Sequence, residues 1–189
     1  MSASNSAPHR FNGAQDFLSG SPAPAGEAEH KNVNSMKQIF DIGQFFRGLG
    51  VQLRFGHLSR APLRLLRLEL RGNAAECEWM ARPADPWDAD FPRPIADRHA
   101  TLQALEDAID MRALLFGALP GVDTAAFRVY RESCGTEPEL IITGTVTREQ
   151  SVGRSVRSLA MRAKLLGLQF WLEDGILEAM RSEECALSF

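Results

Sequence analysis

Hydrophobic and polar residues alternate in two neighbouring stretches of the chain, Leu63–Arg71 and Ala75–Met80. In the second stretch Cys77 and Trp79 alternate with glutamates, and the pair Gly72-Asn73 separates the two stretches. Alternation with a period of two is typical of half-buried strands, and a Gly-Asn pair favours a tight turn. The pattern therefore predicts a β-hairpin.

Further strands are predicted before and after this hairpin. Ala125–Arg131 and Leu140–Val146 are rich in apolar and β-branched residues, and Gly144 within the second run indicates a bulge or a close backbone approach. Leu168–Leu172 alternates again and predicts a half-buried strand. A brief strand is also expected at Val51–Phe55.

Apolar residues spaced three and four positions apart predict three helices. The first is a soft amphipathic helix at Lys37–Leu49, which two glycines weaken by roughly 1 kcal/mol each. The second runs over Arg98–Gly117 and is expected to be capped by Asp97 or Thr101. The third runs over Arg148–Leu166.

This third helix lies between two predicted strands and carries one apolar stripe. Thr147 is its expected N-cap, Gln150 the returning side chain and Gly167 the left-handed residue at its end. Strand, helix and strand together have about the length that a crossover requires. After Asp174-Gly175 we expect a last turn or helix. The stripe consists of Val152, Val156, Leu159, Ala163 and Leu166.

The elements follow the order helix, strand, strand, loop, helix, strand, strand, helix, strand. This order predicts an α+β fold with a mostly antiparallel sheet, made of two ββα-like units plus a closing strand, with the helices on one face. We expect a single domain over residues 36–180 and a frayed C-terminus at residues 181–189. Residues 1–35, rich in Ser, Ala, Pro and Gly, are predicted to be a disordered tail. Met36 is an alternative native start.

Charge is distributed unevenly along the chain, although the net charge is only −3. Residues 36–71 carry seven Lys and Arg against two acids, whereas residues 72–110 carry three Arg against nine acids. The two segments are complementary in charge and would be able to face each other. Phosphate binding by the arginines is conceivable, but the pI near 5.8 and the lack of a nucleic-acid-binding motif make it the weaker interpretation.

Composition also bears on the cellular compartment. The three cysteines form no Cys-x-x-Cys motif, which indicates reduced thiols and neither a disulfide framework nor a zinc site. No stretch is apolar over enough residues to span a bilayer, and the N-terminus lacks the pattern of a leader peptide. We therefore expect a soluble, cytoplasmic protein that has no membrane partner and is unlikely to bind nucleic acid.

Catalytic motifs are missing from the sequence, so no catalytic residue and no cofactor is predicted. One helix offers an alternative. His99, Glu106 and Asp110 stand at i, i+7 and i+11, within an arc of roughly 40° on an ideal helix. A histidine and two carboxylates are potential ligands of a divalent metal ion or an acid/base set. Solvated charges along a helix are the interpretation that we favour.

The loop Arg82–Pro94 holds four prolines and three aspartates. Its Trp87 and Phe91 provide large, rigid apolar surfaces of the kind that anchor interactions. Alternatively, Trp87 folds inward and plugs the sheet. The aspartates are Asp85, Asp88 and Asp90.

These observations lead us to predict a non-catalytic module that binds a protein partner or another copy of itself. The loop aspartates and aromatics are its candidate interaction residues. The alternative is a metal-dependent or acid/base enzyme that combines the His99 helix with the loop Asp85–Asp90. Nucleic-acid binding is a weaker third possibility.

Overall fold

The computed structural model describes residues 40–133, 135, 137–153 and 155–180. In this part of the chain five strands form one sheet in the order β1-β2-β3-β4-β5, and two further strands form a separate hairpin. The sheet strands are β1 (Arg64–Arg71), β2 (Ala74–Met80), β3 (Thr124–Arg131), β4 (Glu139–Thr147) and β5 (Leu168–Gln169). The hairpin consists of β6 (Trp171–Glu173) and β7 (Ile176–Glu178).

Three helices accompany the sheet, together with a short 3-10 turn. They are α1 (residues 40–52), α2 (Arg93–Ala118) and α3 (Leu159–Leu165), and the 3-10 turn covers Pro86–Asp90. The predicted α+β class with a mostly antiparallel sheet is confirmed. None of the described helices is both long and apolar enough to cross a membrane. The predicted tail at residues 1–35 and frayed end at residues 181–189 lie outside the described residues.

The predicted hairpin is present as the antiparallel pair of β1 and β2. Its outer face brings the basic and acidic segments together, since Arg67 lies 3.7 Å from Glu78 and Arg71 lies 3.6 Å from Glu76. Such partly exposed ion pairs contribute little stability individually. The hairpin therefore depends mainly on its inner face, where Cys77 and Trp79 are buried as their alternation predicted.

The crossover connection lies elsewhere than predicted. β4 and β5, on either side of α3, pair antiparallel, so the prediction of a crossover around the third helix is wrong. Parallel pairing occurs instead between β2 and β3, which are connected through α2. A connection that includes a 26-residue helix is long enough to return the chain to the same end of the sheet.

Helix α2 begins at Arg93, earlier than the predicted start at Arg98, and its N-cap is Pro92 and neither Asp97 nor Thr101. The difference arises from Pro94, which the sequence analysis assigned to a loop. Proline is tolerated in the first turn of a helix because the N–H that it lacks would have no partner within the helix.

The third helix is much shorter than predicted. Residues 148–153 and 155–158 are not helical, and Ser158 caps the helix by accepting a hydrogen bond from the Met161 N–H at 3.3 Å. Gly153 and two nearby valines lower the helical propensity of the preceding segment. Of the predicted apolar stripe, only Ala163 and Leu166 are fully buried.

Two further predictions are corrected near the ends of the described chain. Val51–Phe55 is not a strand, because α1 continues through residue 52 and a bent segment follows. After Asp174-Gly175 the chain forms β7 in place of a helix. Both residues of this turn have positive φ, 50° and 81°, which suits a two-residue hairpin turn.

One hydrophobic core fills the space between the sheet and the buried side of α2. Trp79 and Phe127 meet at its centre with ring centroids 5.1 Å apart and planes at 82°. This edge-to-face arrangement is the one that aromatic quadrupoles favour. The core thus fixes α2 against β2 and β3.

Gly144 permits the close backbone approach that its position in a strand predicted. Its φ is 148°, and a Cβ atom there would overlap the carbonyl oxygen of Gly167. We expect Gly144→Ala to lower the free energy of unfolding by about 1–3 kcal/mol, because β4 and β5 would have to separate.

Gly117 provides the matched control, since it lies in α2 with open space around its Cα. Gly117→Ala should leave stability unchanged or raise it by up to about 1 kcal/mol. Urea denaturation of both variants measures the two effects, and equal stabilities would contradict the close-approach explanation.

Candidate functional site

A buried polar cluster lies between α2 and the segment that follows α1. The Arg82 side chain is fully buried, and its Nε donates a hydrogen bond to Asp107 Oδ2 at 2.8 Å. Gln103 Nε2 donates to the other carboxylate oxygen of Asp107 at 2.9 Å. Burial raises the pKa of the Asp107 carboxyl, whereas the contacts with Arg82 and Gln103 oppose this rise. We call Arg82, Gln103 and Asp107 the anchor cluster.

The anchor cluster holds the backbone of residues 53–61. Arg82 donates to the carbonyl oxygens of Leu53, at 2.5 Å, and Arg54, at 3.2 Å, and also to that of Ala61. Gln103 Oε1 accepts from the backbone N–H groups of two residues in the same segment. These donors belong to Leu58, at 2.5 Å, and Ser59, at 3.2 Å. A segment without regular secondary structure thereby has its buried backbone groups satisfied by side chains.

Asp85 connects this segment to the 3-10 turn. One of its carboxylate oxygens accepts from the Arg60 N–H at 3.1 Å, and the other accepts from the Trp87 N–H at 3.1 Å. Asp85 is itself buried and acts as the N-cap of the turn. Its role in the structure is therefore to hold the backbone N–H of Trp87 and to connect the turn to Arg60, so both oxygens of its carboxylate are already in use.

Trp87 projects from this fixed turn with 75% of its surface exposed. The alternative prediction, in which Trp87 folds inward as a plug on the sheet, is wrong. The neighbouring residues Asp85 and Asp88 are buried instead of the indole. Their carboxylates form hydrogen bonds with backbone and side-chain groups. An exposed indole on a held backbone is an unusual use of a large apolar side chain.

Phe91 extends the apolar surface from the end of the turn. It is 50% exposed, and its ring meets the His99 ring edge to face with centroids 5.9 Å apart. The other side of His99 is held by Asp88, whose Oδ1 lies 3.2 Å from Nδ1. Ile95 lies four residues later, in the first turn of α2, and is also exposed. We call Trp87, Phe91 and Ile95 the tryptophan patch; Asp90 is exposed beside it.

The three candidate metal ligands on α2 have separate surroundings. His99 contacts Asp88 and Phe91, as described above. The pKa of the Asp110 carboxyl is raised by burial, and the positive charge of Arg162 only partly opposes this rise. Glu106 is partly exposed. Within the described residues no group of three His, Cys, Asp or Glu side chains is placed to hold a metal ion.

The nucleophile candidate that the structure describes is Cys77, which lies in the core with no exposed surface. Burial and the nearby Glu78 charge raise the pKa of its thiol to about 12. The thiolate is therefore scarcely populated at neutral pH, and Cys77 is a packing residue. Cys134 and Cys185 lie outside the described residues.

An open groove of about 740 Å³ separates α1 from the C-terminal half of α2. Asp41, Gln44 and Arg47 provide polar groups along it, and the described residues that line it include no histidine or cysteine. His99 and the acids of the loop Asp85–Asp90 are not among these lining residues.

The sequence identifies Trp87 and Phe91 of the tryptophan patch but not Ile95, and it does not reveal the anchor cluster. Arg82 begins the predicted loop, and Gln103 and Asp107 lie within the predicted second helix. A signal was present, since α2 carries polar residues at i and i+4 next to its apolar positions. That spacing does not show that a loop covers the two side chains, because the covering segment is 42 to 54 residues earlier in the chain.

No protein-family model matches this chain, and no curated protein or solved structure is significantly similar to it.

Proposed function

We propose that this chain is a non-catalytic protein-interaction module that binds its partner through the tryptophan patch. The observation that carries the proposal is the exposure of Trp87 on a turn that Asp85 caps at the Trp87 N–H and connects to Arg60. Tryptophan is enriched among the residues that contribute most to binding energy at protein interfaces. A held backbone also reduces the entropy that is lost when the side chain is immobilised by a partner.

The surroundings of Trp87 indicate the kind of partner surface that would fit. Phe91 and Ile95 widen the apolar area, while Asp90 and Arg93 place one acidic and one basic side chain beside it. A complementary surface would present an apolar recess for the indole with polar groups of both charges around it. The partner in this proposal is a folded protein or a second copy of the chain.

Trp87→Ala tests the proposal in the full chain. We expect association to fall at least tenfold, because truncation of a central tryptophan anchor typically costs 2 kcal/mol or more, about thirtyfold in affinity. The melting temperature should stay nearly constant, since the side chain is largely exposed. Sedimentation velocity measures self-association, and pull-down with the purified chain measures binding of another protein.

Trp171→Ala is the matched control, because Trp171 is also an exposed tryptophan, 58% accessible, but belongs to the β6–β7 hairpin. The proposal requires a species that the wild type and the Trp171 variant retain and the Trp87 variant loses. Equal retention by both variants, or no association of the wild type, would contradict it.

A further inference from the structure

A second exposed apolar surface lies on α1 and the residues just after it. Val51 is 75% exposed, and three phenylalanines in the same segment are at least half exposed. Phe40, Arg47 and Val51 stand at i, i+7 and i+11, within about 40° on an ideal helix, so they share one face. We call this the basic apolar surface. It comprises Phe40, Arg47, Val51, Arg54 and Phe55. Phe46 is also exposed but lies roughly 100° or more around α1 from this face on an ideal helix.

Positive charge exceeds negative charge in α1 and the segment after it. Residues 40–60 contain three arginines and one acid, Asp41, which lines the groove together with Arg47. Arg47, Arg54 and Arg60 are exposed and have no carboxylate at ion-pair distance among the described residues. The arginines of β1 differ, because each has an acidic partner. These pairs include Arg64 with Glu132, Arg67 with Glu69 and Arg71 with Glu69.

The anchor cluster fixes the C-terminal part of this surface. The buried Arg82 side chain donates hydrogen bonds to the carbonyl oxygens of Leu53 and Arg54. These bonds fix the backbone that carries the Arg54 and Phe55 side chains. The Arg54 guanidinium lies 5.2 Å from the centre of the Phe55 ring. Apolar and cationic groups are thus placed side by side at the surface.

We propose that the basic apolar surface docks on the anionic face of a lipid bilayer. A helix that lies in the membrane interface needs no spanning segment; it needs apolar side chains to enter the acyl boundary and cations to meet the headgroups. On this surface phenylalanine and valine are the apolar side chains, and the unpaired arginines are the cations. This inference does not depend on the tryptophan patch.

Single-stranded nucleic acid is the other polyanion that an arginine- and phenylalanine-bearing surface would attract. The bilayer fits better because Val51, the most exposed residue of the surface, gains from hydrocarbon and has no ring for a base to stack on. A bilayer also matches the continuous helical face formed by Phe40, Arg47 and Val51. Oligonucleotide binding is therefore included as an outcome of the test.

Vesicle sedimentation with the full chain tests the proposal. We expect the chain to sediment with phosphatidylcholine vesicles that contain phosphatidylserine, to stay in solution with phosphatidylcholine alone, and to be released by high salt. Arg47→Gln combined with Arg54→Gln should weaken partition by roughly 25-fold, about fivefold for each arginine. Phe40→Ser combined with Val51→Ser should weaken it by at least about tenfold.

Two variants serve as controls, and melting curves establish that every variant is folded. Arg64→Gln removes an arginine that already has an acidic partner and should change partition less than threefold. Trp87→Ala should leave partition unchanged, which separates this proposal from the protein-interaction proposal. The membrane proposal is overturned if the wild type does not sediment, if neutral vesicles bind it equally, or if the double variants bind like the wild type. It is also overturned if a single-stranded oligonucleotide is bound through the same arginines while vesicles are not.

Discussion

Arg82→Met should lower the free energy of unfolding by about 3–5 kcal/mol, because it leaves the Asp107 carboxylate buried without its cation. Three backbone carbonyl oxygens between residues 53 and 61 lose their donor at the same time. Methionine retains most of the volume of the arginine stem, so the loss reports polar contacts more than packing. Urea denaturation with linear extrapolation measures this difference.

The control for this prediction is Arg64→Met, which removes an arginine from an ion pair whose side chains are 62% and 71% exposed. Such a pair contributes about 0–1 kcal/mol, so the variant should be nearly as stable as the wild type. Combining Arg82→Met with Asp107→Leu should cost less than the sum of the single changes, because no unpaired charge then remains. Additive losses, or an Arg82 variant as stable as the Arg64 variant, would show that the cluster is not coupled as described.

The elements that could be predicted from sequence are those that local patterning determines. The hairpin of β1 and β2 follows from two alternating runs and one turn, and Gly144 was read correctly because a glycine inside a strand has few explanations. The length of the third helix was predicted incorrectly because its expected start also matches a local capping pattern. Its capping pair is real, since Gln150 Oε1 accepts from the Thr147 N–H at 3.1 Å, yet no helix follows directly.

What replaces that helix is a tertiary interaction that no local pattern shows. The Arg148 side chain donates to the carbonyl oxygens of Phe116, Leu119 and Val122 at 2.7 Å each, and so satisfies the C-terminal end of α2. Arg112 reaches from α2 to the carbonyl oxygen of Thr147 at 2.6 Å. Residues at the expected helix start are thereby held in a bent, non-helical conformation by contacts with α2.

The candidate site was likewise predictable only in part. Trp87 and Phe91 were identified because large aromatics in a proline-rich loop have few roles, but their exposure depends on where the aspartates go. Asp85 and Asp88 turn inward to a backbone N–H group and to His99, so of the five candidate residues only the two aromatics and Asp90 remain exposed. Sequence identifies the residues of such a site, whereas the hydrogen-bond partners decide which of them face solvent.

Trp79 should show the opposite behaviour to Trp87, and the comparison tests the assignment of core and surface directly. Trp79 has no exposed surface and packs edge to face on Phe127. Trp79→Ala should therefore cost about 3–5 kcal/mol, through lost burial and the cavity that remains. Trp87→Ala should stay within about 0.5 kcal/mol of the wild type, as exposed substitutions usually do.

Trp79→Phe separates the contribution of volume from that of the indole N–H. The Trp79 Nε1 atom has no hydrogen-bond acceptor among the described residues, so phenylalanine gives up no polar contact there. We expect a loss of only about 1–2 kcal/mol, because part of the volume and the edge-to-face contact with Phe127 are kept. Unfolding curves followed by far-ultraviolet circular dichroism avoid the change in tryptophan fluorescence. If Trp79→Phe were as damaging as Trp79→Ala, the indole N–H would be making a hydrogen bond that the described residues do not provide, and the packing explanation of this core would fail.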